Sequence, residues 1–308
     1  MTLQQLQYVV ALDTHRHFVK AAESCFLAQP TLTLQVKKLE DEVHLTIFNR
    51  SVKPLEPTIQ GAKFIVRARQ ILREVEGLKE MVNQDRQFVE GNFKLGVIPT
   101  LAPYLLPLFL KLFQEKLPKV TLEVLELQSD MILEQLRIGQ LDIGLLVTPT
   151  DIPQLREIKL FQEPFWVFAV EEHPLLSQKS IDAVQLPKEG LWLLQQGHCF
   201  RDQILNVCQT KAQETTQPVQ FKTGSIETLK RMIQNYKGYT LVPELAIDKN
   251  DQPWVRPFEN PQPARQIGMV VHGSFTKEVL LKELRDSIIH SIPNHFTKSH
   301  EYFTVKWR

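Results

Sequence analysis

Two of the three cysteines in this 308-residue chain, Cys199 and Cys208, lie within the twelve-residue segment GHCFRDQILNVC. His198 directly precedes the first of them, and Arg201 follows two positions later. A cysteine thiolate can bind a metal, act as a catalytic nucleophile or undergo reversible oxidation. The pair therefore has four interpretations: a metal site, a catalytic thiol, a redox switch, or two ordinary core residues.

Metal binding and nucleophilic catalysis find little support in this spacing. Structural zinc sites favour ligand pairs about two to four residues apart, whereas eight residues separate Cys199 from Cys208 and no second ligand pair lies nearby. A catalytic thiol needs a base and an orienting group, and we expect the side chain of His198, adjacent to Cys199, to diverge from it. The sequence therefore predicts no metal, no cofactor and no enzymatic turnover.

A redox switch agrees better with the expected local structure. GLWLLQQG is typical of a strand, and HCFRDQILNVCQTK of a following helix with Cys199 in its first turn. The helix N-terminus favours an anion and Arg201 adds positive charge, so we expect a lowered pKa for the Cys199 thiol. Nine helical steps separate the Cα atoms of Cys199 and Cys208 by about 13.5 Å. A disulfide tolerates at most about 7 Å, so the two cysteines bond only if the helix unwinds.

The alternative is that the cysteines are core residues. Cysteine commonly behaves as a small buried hydrophobe, and Cys208 follows Ile204, Leu205 and Val207. The third cysteine, Cys25, lies on the apolar face of another predicted helix, and we interpret it as a core residue. The residues alone leave the redox switch and the inert core open.

The first sixty residues predict short helices followed by a β-hairpin wing. The third helix begins at Pro30 and places Leu32, Val36, Leu39 and Val43 on its inner face, while LTIFNRSVKPLEPT forms the wing. The outer Gln, Thr and Lys side chains are of the kinds that bond base edges and phosphates of DNA. Residues 1–60 nevertheless carry six basic and six acidic side chains. A small helical packing domain is therefore the alternative to a DNA-binding module.

The remainder predicts one long helix and then an α/β region. Residues 58–87 contain no proline and repeat apolar residues every three or four positions, as expected of a linker that dimerises through an apolar seam. After residue 91 strands alternate with helices, which favours parallel sheets. Crossovers near residues 163 and 266 predict two lobes with a cleft between them.

The composition is that of an ordinary globular protein. Hydrophobic residues make up 43% of the chain and charged residues 23%, and the net charge of +1 neither predicts nor excludes a nucleic-acid partner. No signal peptide is evident, and the most apolar run, YLLPLFLKLF, is too short to span a bilayer. An odd, small number of cysteines suits a reducing compartment. We expect a cytoplasmic protein with no membrane contact.

The N-terminal segment resembles a known family. LQYVVALDTHRHFVKAAESCFLAQPTLTLQVKKLEDEVHLTIFNR contains the aromatic-Ala-Ala helix, QP turn, KLE segment and wing typical of LysR-type transcriptional regulators. The resemblance implies a multidomain chain: an all-α winged helix-turn-helix at residues 1–58, a linker and dimerisation helix at 59–88, and a two-lobed α/β, periplasmic-binding-protein-like regulatory domain at 89–308. Lobe I would comprise residues 89–162 and 267–295, and lobe II residues 163–266. The residues expected to contact DNA are Gln29, Pro30, Thr31, Thr33, Gln35, Lys37, Lys38, Arg50 and Lys53.

Within that family, IPTLAPYLLP, GHCFRDQ and SIETLKRM resemble the peroxide-sensing OxyR subgroup. The resemblance implies that hydrogen peroxide oxidises Cys199, the peroxidatic residue, to a sulfenic acid, which Cys208, the resolving residue, captures as a disulfide. Ser129 stands where the subgroup more usually has threonine and retains the hydroxyl. The residues carried over to a peroxide pocket are Thr100, Ser129, His198, Arg201, Gln203 and Arg265.

The resemblance thus implies a transcriptional activator of oxidative-stress genes that binds promoter DNA as a homodimer or homotetramer and contacts RNA polymerase. One competing hypothesis is a LysR-type regulator that binds a small metabolite in the interlobe cleft and has inert cysteines. A second is a thiol peroxidase. The C-terminal tail, residues 295–308, receives no assignment from the sequence.

Overall fold

The computed structural model describes residues 1–82, 89–170, 172–209, 223–298 and 302–307, which form two compact units. The first unit comprises Met1–Phe88, Gln135–Gln140 and His272–Lys277. The second comprises Val89–Glu134, Leu141–Val271 and Glu278–Arg308. None of the described helices combines the length and the apolar character that crossing a bilayer requires.

The first unit is a three-helix module with a wing and a long helix. Its elements are α1 (Leu3–His15), α2 (Phe18–Ser24), α3 (Gln29–Glu42), β1 (Phe48–Asn49), β2 (Glu56–Pro57) and α4 (Ile59–Val82). A capping box between Thr2 and Gln5 begins α1, and Pro30 lies in the first turn of α3, where no N–H partner is needed. β1 and β2 pair antiparallel, so the predicted wing is confirmed. Residues 83–88, the end of the predicted linker helix, lie outside the described residues.

The core of this module contains the apolar face predicted for α3. Leu32, Val36 and Leu39 are buried among residues of α1 and α2. Val43 is the C-cap of α3 and packs, half-buried, against the same core. Cys25, the C-cap of α2, is also half-buried there.

The second unit contains a mixed β-sheet. Its strands are β3 (Gly91–Val97), β4 (Val120–Glu126), β5 (Ile143–Val147), β6 (Leu155–Ala169), β7 (Tyr239–Pro243), β8 (Val255–Pro257), β9 (Gln262–His272) and β10 (Tyr302–Thr304). The order is β4-β3-β5-β9-β6-β7, with β10 beside β9 and β8 beside β6. β3 runs parallel to β4 and β5, whereas β9 runs antiparallel to β5, and β7 and β8 run antiparallel to β6.

The two-lobed α/β architecture is confirmed, but the expectations of parallel sheets and of a strand at GLWLLQ are wrong. The sheet is mixed because the long strands β6 and β9 carry the chain between the two halves, and the returning β9 runs against β5. Residues 163 and 266, the predicted crossovers, lie within these two strands. The segment GLWLLQ forms no strand: Leu191 makes one isolated bridge to Tyr239.

The described part of this unit also contains the α-helices α5 (Ala102–Lys116), α6 (Ser129–Ile138), α7 (Cys199–Val207), α8 (Ile226–Tyr236) and α9 (Glu278–Ser291). α7 packs one face into an apolar core shared with α8 and β7. The α7 residues in that core are Phe200, Ile204 and Val207, spaced by four and three positions as a helical face requires.

Candidate functional site

Helix α7 presents Cys199 at its N-terminus. Cys199 is its first residue and His198 its N-cap, so the predicted helix with Cys199 in the first turn is confirmed. Gly197 has φ +96°, a conformation that glycine adopts without the strain a side chain would cause. The chain therefore turns sharply immediately before the helix begins.

The Cys199 thiol is enclosed, with 4% of the residue exposed. Burial raises the pKa of this thiol above its usual value, while a hydrogen bond with the Ser129 hydroxyl, the charge of Arg265 and the N–H of Phe200 oppose that rise without reversing it. The lowered pKa expected from the helix N-terminus is therefore wrong, because that expectation omitted the desolvation of the thiol.

Arg265 is a fully buried cation held in one orientation. Its Nη1 donates to Oγ1 of Thr100 and its Nη2 to the Thr100 carbonyl, both at 2.9 Å. Its Nε donates to Oε2 of Glu163 at 2.8 Å. The guanidinium carbon lies 5.4 Å from the centroid of the Phe200 ring, within the range of a cation–π contact. The structure thus brings the predicted residues Thr100 and Arg265 together.

Glu163 is a site residue that sequence reasoning missed. It is fully buried, and its Oε1 accepts the N–H of Leu245 at 3.0 Å while Oε2 accepts from Arg265. Burial raises the pKa of this carboxyl, and the Arg265 charge opposes the rise. A signal was present: a glutamate within the apolar segment FQEPFWVF must be paired if the strand is buried.

Gln203 and Arg201, also on α7, point to different partners. Gln203 is fully buried one turn after Cys199, and its Nε2 donates to the Val305 carbonyl at 2.8 Å. Its Oε1 has no partner among the described residues.

Arg201 instead donates from Nη1 to the carbonyl of Leu194 at 2.6 Å. Its guanidinium is thus engaged with a backbone carbonyl, and the cation that acts on the thiol pKa is Arg265.

His198 is buried at the start of α7, where the backbone of Gly224 lies close to its ring. Its Nε2 lies 3.4 Å from Nε2 of Gln195. Burial lowers the pKa of the imidazole, which favours its neutral form. A Cβ on Gly224 would lie 2.7 Å from Nε2 of His198, so glycine at that position leaves room for the ring.

Cys208 occupies the opposite end of α7, as its C-cap. It is buried in the apolar core and hydrogen-bonded to the Tyr239 hydroxyl, which donates its proton to the Pro187 carbonyl. Burial raises the pKa of Cys208 to about 12. Both cysteines are free thiols. In the described ranges, no group of three or more His, Cys, Asp and Glu side chains could hold a metal ion.

The candidate DNA contacts lie on α3 and the wing. Thr33 and Gln35 are half-buried, and the hydroxyl of Thr33 donates to the Gln29 carbonyl at 2.9 Å. Leu34 lies between them on this helix and is 51% exposed. The remaining candidates are exposed: Gln29, Pro30, Thr31, Lys37, Lys38, Arg50 and Lys53.

Arg50 is held against the module by an ion pair. Its Nη2 donates to Oε2 of Glu40 at 2.7 Å, and its guanidinium lies 5.8 Å from the Phe18 ring centroid. Oε1 of Glu40 accepts the N–H groups of Ile47 and Phe48 at 2.7 and 3.1 Å. Glu40 therefore joins the wing to α3 and orients Arg50.

Known families match both parts of this architecture. Residues 3–62 match bacterial regulatory helix-turn-helix proteins of the lysR family, and residues 86–291 match the LysR substrate binding domain. The chain is 35% identical to the DNA-binding transcriptional dual regulator OxyR of Escherichia coli (strain K12), over 97% of this chain and 98% of that protein. It is 34% identical to the hydrogen peroxide-inducible genes activator of Haemophilus influenzae, over 88% and 90% of the two chains.

Solved structures agree with these sequence matches. A full-length OxyR variant from Pseudomonas aeruginosa has a TM-score of 0.84 at 32% identity, covering 95% of this chain and 99% of that chain. The chain combines a helix-turn-helix module with a two-lobed regulatory domain, and the similarity to its relatives extends over nearly its full length. Fold and sequence therefore indicate the same family. The chain belongs to the LysR family of bacterial regulatory proteins, in its OxyR subgroup.

Proposed function

We propose that this protein is a DNA-binding transcriptional activator that senses hydrogen peroxide through a reversible Cys199–Cys208 disulfide. One observation carries the proposal: two buried free thiols occupy opposite ends of one nine-residue helix in different surroundings. Cys199 is hydrogen-bonded to Ser129 beside the buried cation Arg265, whereas Cys208 lies in an apolar core. This asymmetry makes Cys199 the first thiol to react and Cys208 the second.

The proposed chemistry has two steps. The thiolate of Cys199 attacks one peroxide oxygen, the O–O bond breaks, and the departing hydroxide takes up a proton to leave water and a sulfenic acid. The sulfur of Cys208 then attacks the sulfenic sulfur, forming the S–S bond and releasing the second oxygen as water. Arg265 and the hydroxyls of Thr100 and Ser129 are the groups proposed to stabilise the thiolate and the departing oxygen.

The second step requires α7 to refold. Its length places the Cα atoms of Cys199 and Cys208 about 13.5 Å apart, and a disulfide allows at most about 7 Å. Formation of the disulfide therefore requires the packed helix to unwind. A helix that is either wound or unwound is a two-state element of the kind that regulatory switches use.

The same proposal assigns the other parts of the chain. Residues 1–58 bind promoter DNA through the exposed face of α3 and the wing, residues 59–88 dimerise, and residues 89–308 sense peroxide, with lobe I at 89–162 and 267–295 and lobe II at 163–266. The protein acts in the cytoplasm as a homotetramer that contacts RNA polymerase at oxidative-stress promoters. Support for DNA binding comes from the exposed Lys37 and Lys38 on α3, and support for the peroxide response comes from the names of the relatives.

A disulfide map tests the sensor. Reduced protein is treated with sub-stoichiometric hydrogen peroxide and digested without reductant, and mass spectrometry is expected to find a peptide linking Cys199 to Cys208. The matched control, Cys208→Ser, is expected to give a Cys199 sulfenic acid that dimedone traps and no linked peptide. If the wild-type protein yields no linked peptide, the sensor proposal fails and a metabolite-responsive regulator with inert cysteines replaces it.

A further inference from the structure

The last described residues of the chain are built into the regulatory unit. β10 pairs in parallel with β9, with Tyr302 opposite Gln262, and the N–H of Val305 donates to the Ala264 carbonyl at 2.8 Å. Nε1 of Trp307 donates to the Pro149 carbonyl at 3.1 Å. The side chains of Val305 and Trp307 are buried, so this segment, residues 302–307, is a packed element that we call the tail strap.

The tail strap is bonded to α7 between the two cysteines. Nε2 of Gln203 donates to the Val305 carbonyl and Nδ2 of Asn206 donates to the Lys306 carbonyl, both at 2.8 Å. Residues three apart lie on one face of a helix, so the two side-chain amides donate to consecutive carbonyls of the tail strap. Asn206 itself is exposed to solvent.

We propose that Asn206 is a positioning residue for disulfide formation: its bond to the tail strap, alongside that of Gln203, holds α7 wound and keeps Cys208 away from oxidised Cys199. The inference rests on the peroxide chemistry proposed above. Unwinding α7 rotates residues 203 and 206 away from each other, so both bonds to the strap break before the S–S bond forms. The strap therefore governs how readily the oxidised thiol is captured.

The two chemical steps depend on the strap differently. Attack of the Cys199 thiolate on peroxide takes place at the start of the intact helix and leaves the Asn206 bond in place. Attack of the Cys208 sulfur on the sulfenic sulfur, which displaces the oxygen as water, needs the unwound helix. Loss of the Asn206 bond is thus expected to accelerate the second step alone.

The test compares Asn206→Val with Asn235→Val in the full-length protein. Valine removes the amide at nearly the same helix propensity as asparagine, whereas alanine would stiffen the helix. Nδ2 of Asn235 donates to the Arg231 carbonyl within α8, which makes it a matched amide outside α7. After a peroxide pulse and rapid quenching, dimedone adducts report the sulfenic acid and mass spectrometry reports the Cys199–Cys208 peptide.

For Asn206→Val we expect disulfide formation to be about 2- to 10-fold faster, the effect of losing one hydrogen bond, with an unchanged rate of sulfenic acid formation. Asn235→Val should match the wild-type protein in both steps. Deleting residues 302–308 should accelerate the second step at least as much, and Asn206→Val should add nothing to the deletion because its acceptor is gone.

Three results would overturn the inference. Equal disulfide rates in Asn206→Val and Asn235→Val would show that the bond does not restrain α7. Acceleration of both steps alike would indicate general loosening of the domain. A wild-type protein that forms the sulfenic acid but never the disulfide would remove the proposed function and this inference together.

Discussion

At the scale of the residue, Cys199 is subject to two opposing influences. Enclosure disfavours the thiolate, while Ser129, Arg265 and the Phe200 N–H favour it, and the outcome is a raised pKa. A raised pKa protects the reduced protein from indiscriminate thiol chemistry, because the thiolate is the reactive form. In the proposed sensor, these polar neighbours keep the thiolate accessible at Cys199, the thiol proposed to react with peroxide.

The rate of Cys199 oxidation is therefore expected to rise with pH from about pH 6 to about pH 9. The thiolate fraction grows throughout this range because burial holds the pKa above the ordinary thiol value of about 8.5. Timed dimedone trapping in the Cys208→Ser protein measures the rate. A plateau reached below about pH 7 would mean that the pKa is lowered instead.

Ser129→Ala is expected to slow sulfenic acid formation by about 10- to 100-fold, the effect of losing a hydrogen bond to a charged group. Ser287→Ala is the matched control, because this buried hydroxyl in α9 has no partner among the described residues. The same trapping assay compares the two variants. Similar rates for both would show that the Ser129 hydroxyl does not assist the thiolate.

Cys208 makes the stability of the reduced protein depend on pH. Its pKa is about 12 in the folded state and about 8.5 when unfolded, so between these values the unfolded chain has released the proton and the native state has not. The free energy of unfolding should fall as pH rises through this window. Urea titrations from about pH 8 to about pH 10 should show a steeper fall for the wild-type protein than for Cys208→Ser, and parallel curves would contradict this assignment.

At the scale of the element, α3 and α7 have distinct tasks. In the proposed mechanism, α7 must be stable enough to keep the thiols apart and weak enough to unwind, and its nine residues give it little intrinsic stability. α3 is longer, at fourteen residues, and Glu40 joins its C-terminal turn to the wing. We therefore place the moving part of the protein in α7 and the recognition surface on α3.

Lys38→Ala is expected to weaken DNA binding and to reduce the slope of log affinity against log salt by about one, as for the loss of one phosphate contact. Lys249→Ala, an exposed lysine in the regulatory unit, is the control and should leave the slope unchanged. Fluorescence anisotropy with promoter DNA at several salt concentrations measures both. An unaltered slope for Lys38→Ala would show that Lys38 does not contact a DNA phosphate.

At the scale of the whole molecule, the proposal links the state of two thiols to the way in which the assembled protein meets DNA. The long strands β6 and β9 run through both lobes, and the ion pair between Glu163 and Arg265 joins them at the crossover. Arg265 bonds to Thr100 and Glu163 bonds to Leu245, so one buried pair contacts both halves of the unit. A change at α7 thus occurs beside the connection between the lobes.

Cys199→Ser is expected to lock the protein in its reduced footprint on promoter DNA. Serine cannot form a sulfenic acid, so peroxide should no longer alter the protected region, while affinity in reductant should stay that of the wild type. DNase footprinting with and without peroxide distinguishes the two proteins. A peroxide-dependent change that persists in Cys199→Ser would place the sensor elsewhere in the chain.

The local elements could be predicted from the order of the residues alone. Helical spacing and cap residues predicted α3, the wing and α7 with Cys199 at its start, because these features depend on residues within a few positions of each other. The motifs of the N-terminal module and the GHC segment also indicated the family. The domain limits, DNA contacts and peroxide pocket stay predictions that rest on that resemblance.

The direction of the strands, the raised pKa of Cys199 and the partners of the site residues depend on contacts between distant parts of the chain. Glu163 meets Arg265 across 102 positions of the chain, and Asn206 meets the tail strap across 100. The periodicity of apolar residues in a sequence does not reveal contacts between residues so far apart in the chain. Desolvation likewise depends on everything packed around a group, and for that reason the helix N-terminus alone gave the wrong sign for the pKa of Cys199.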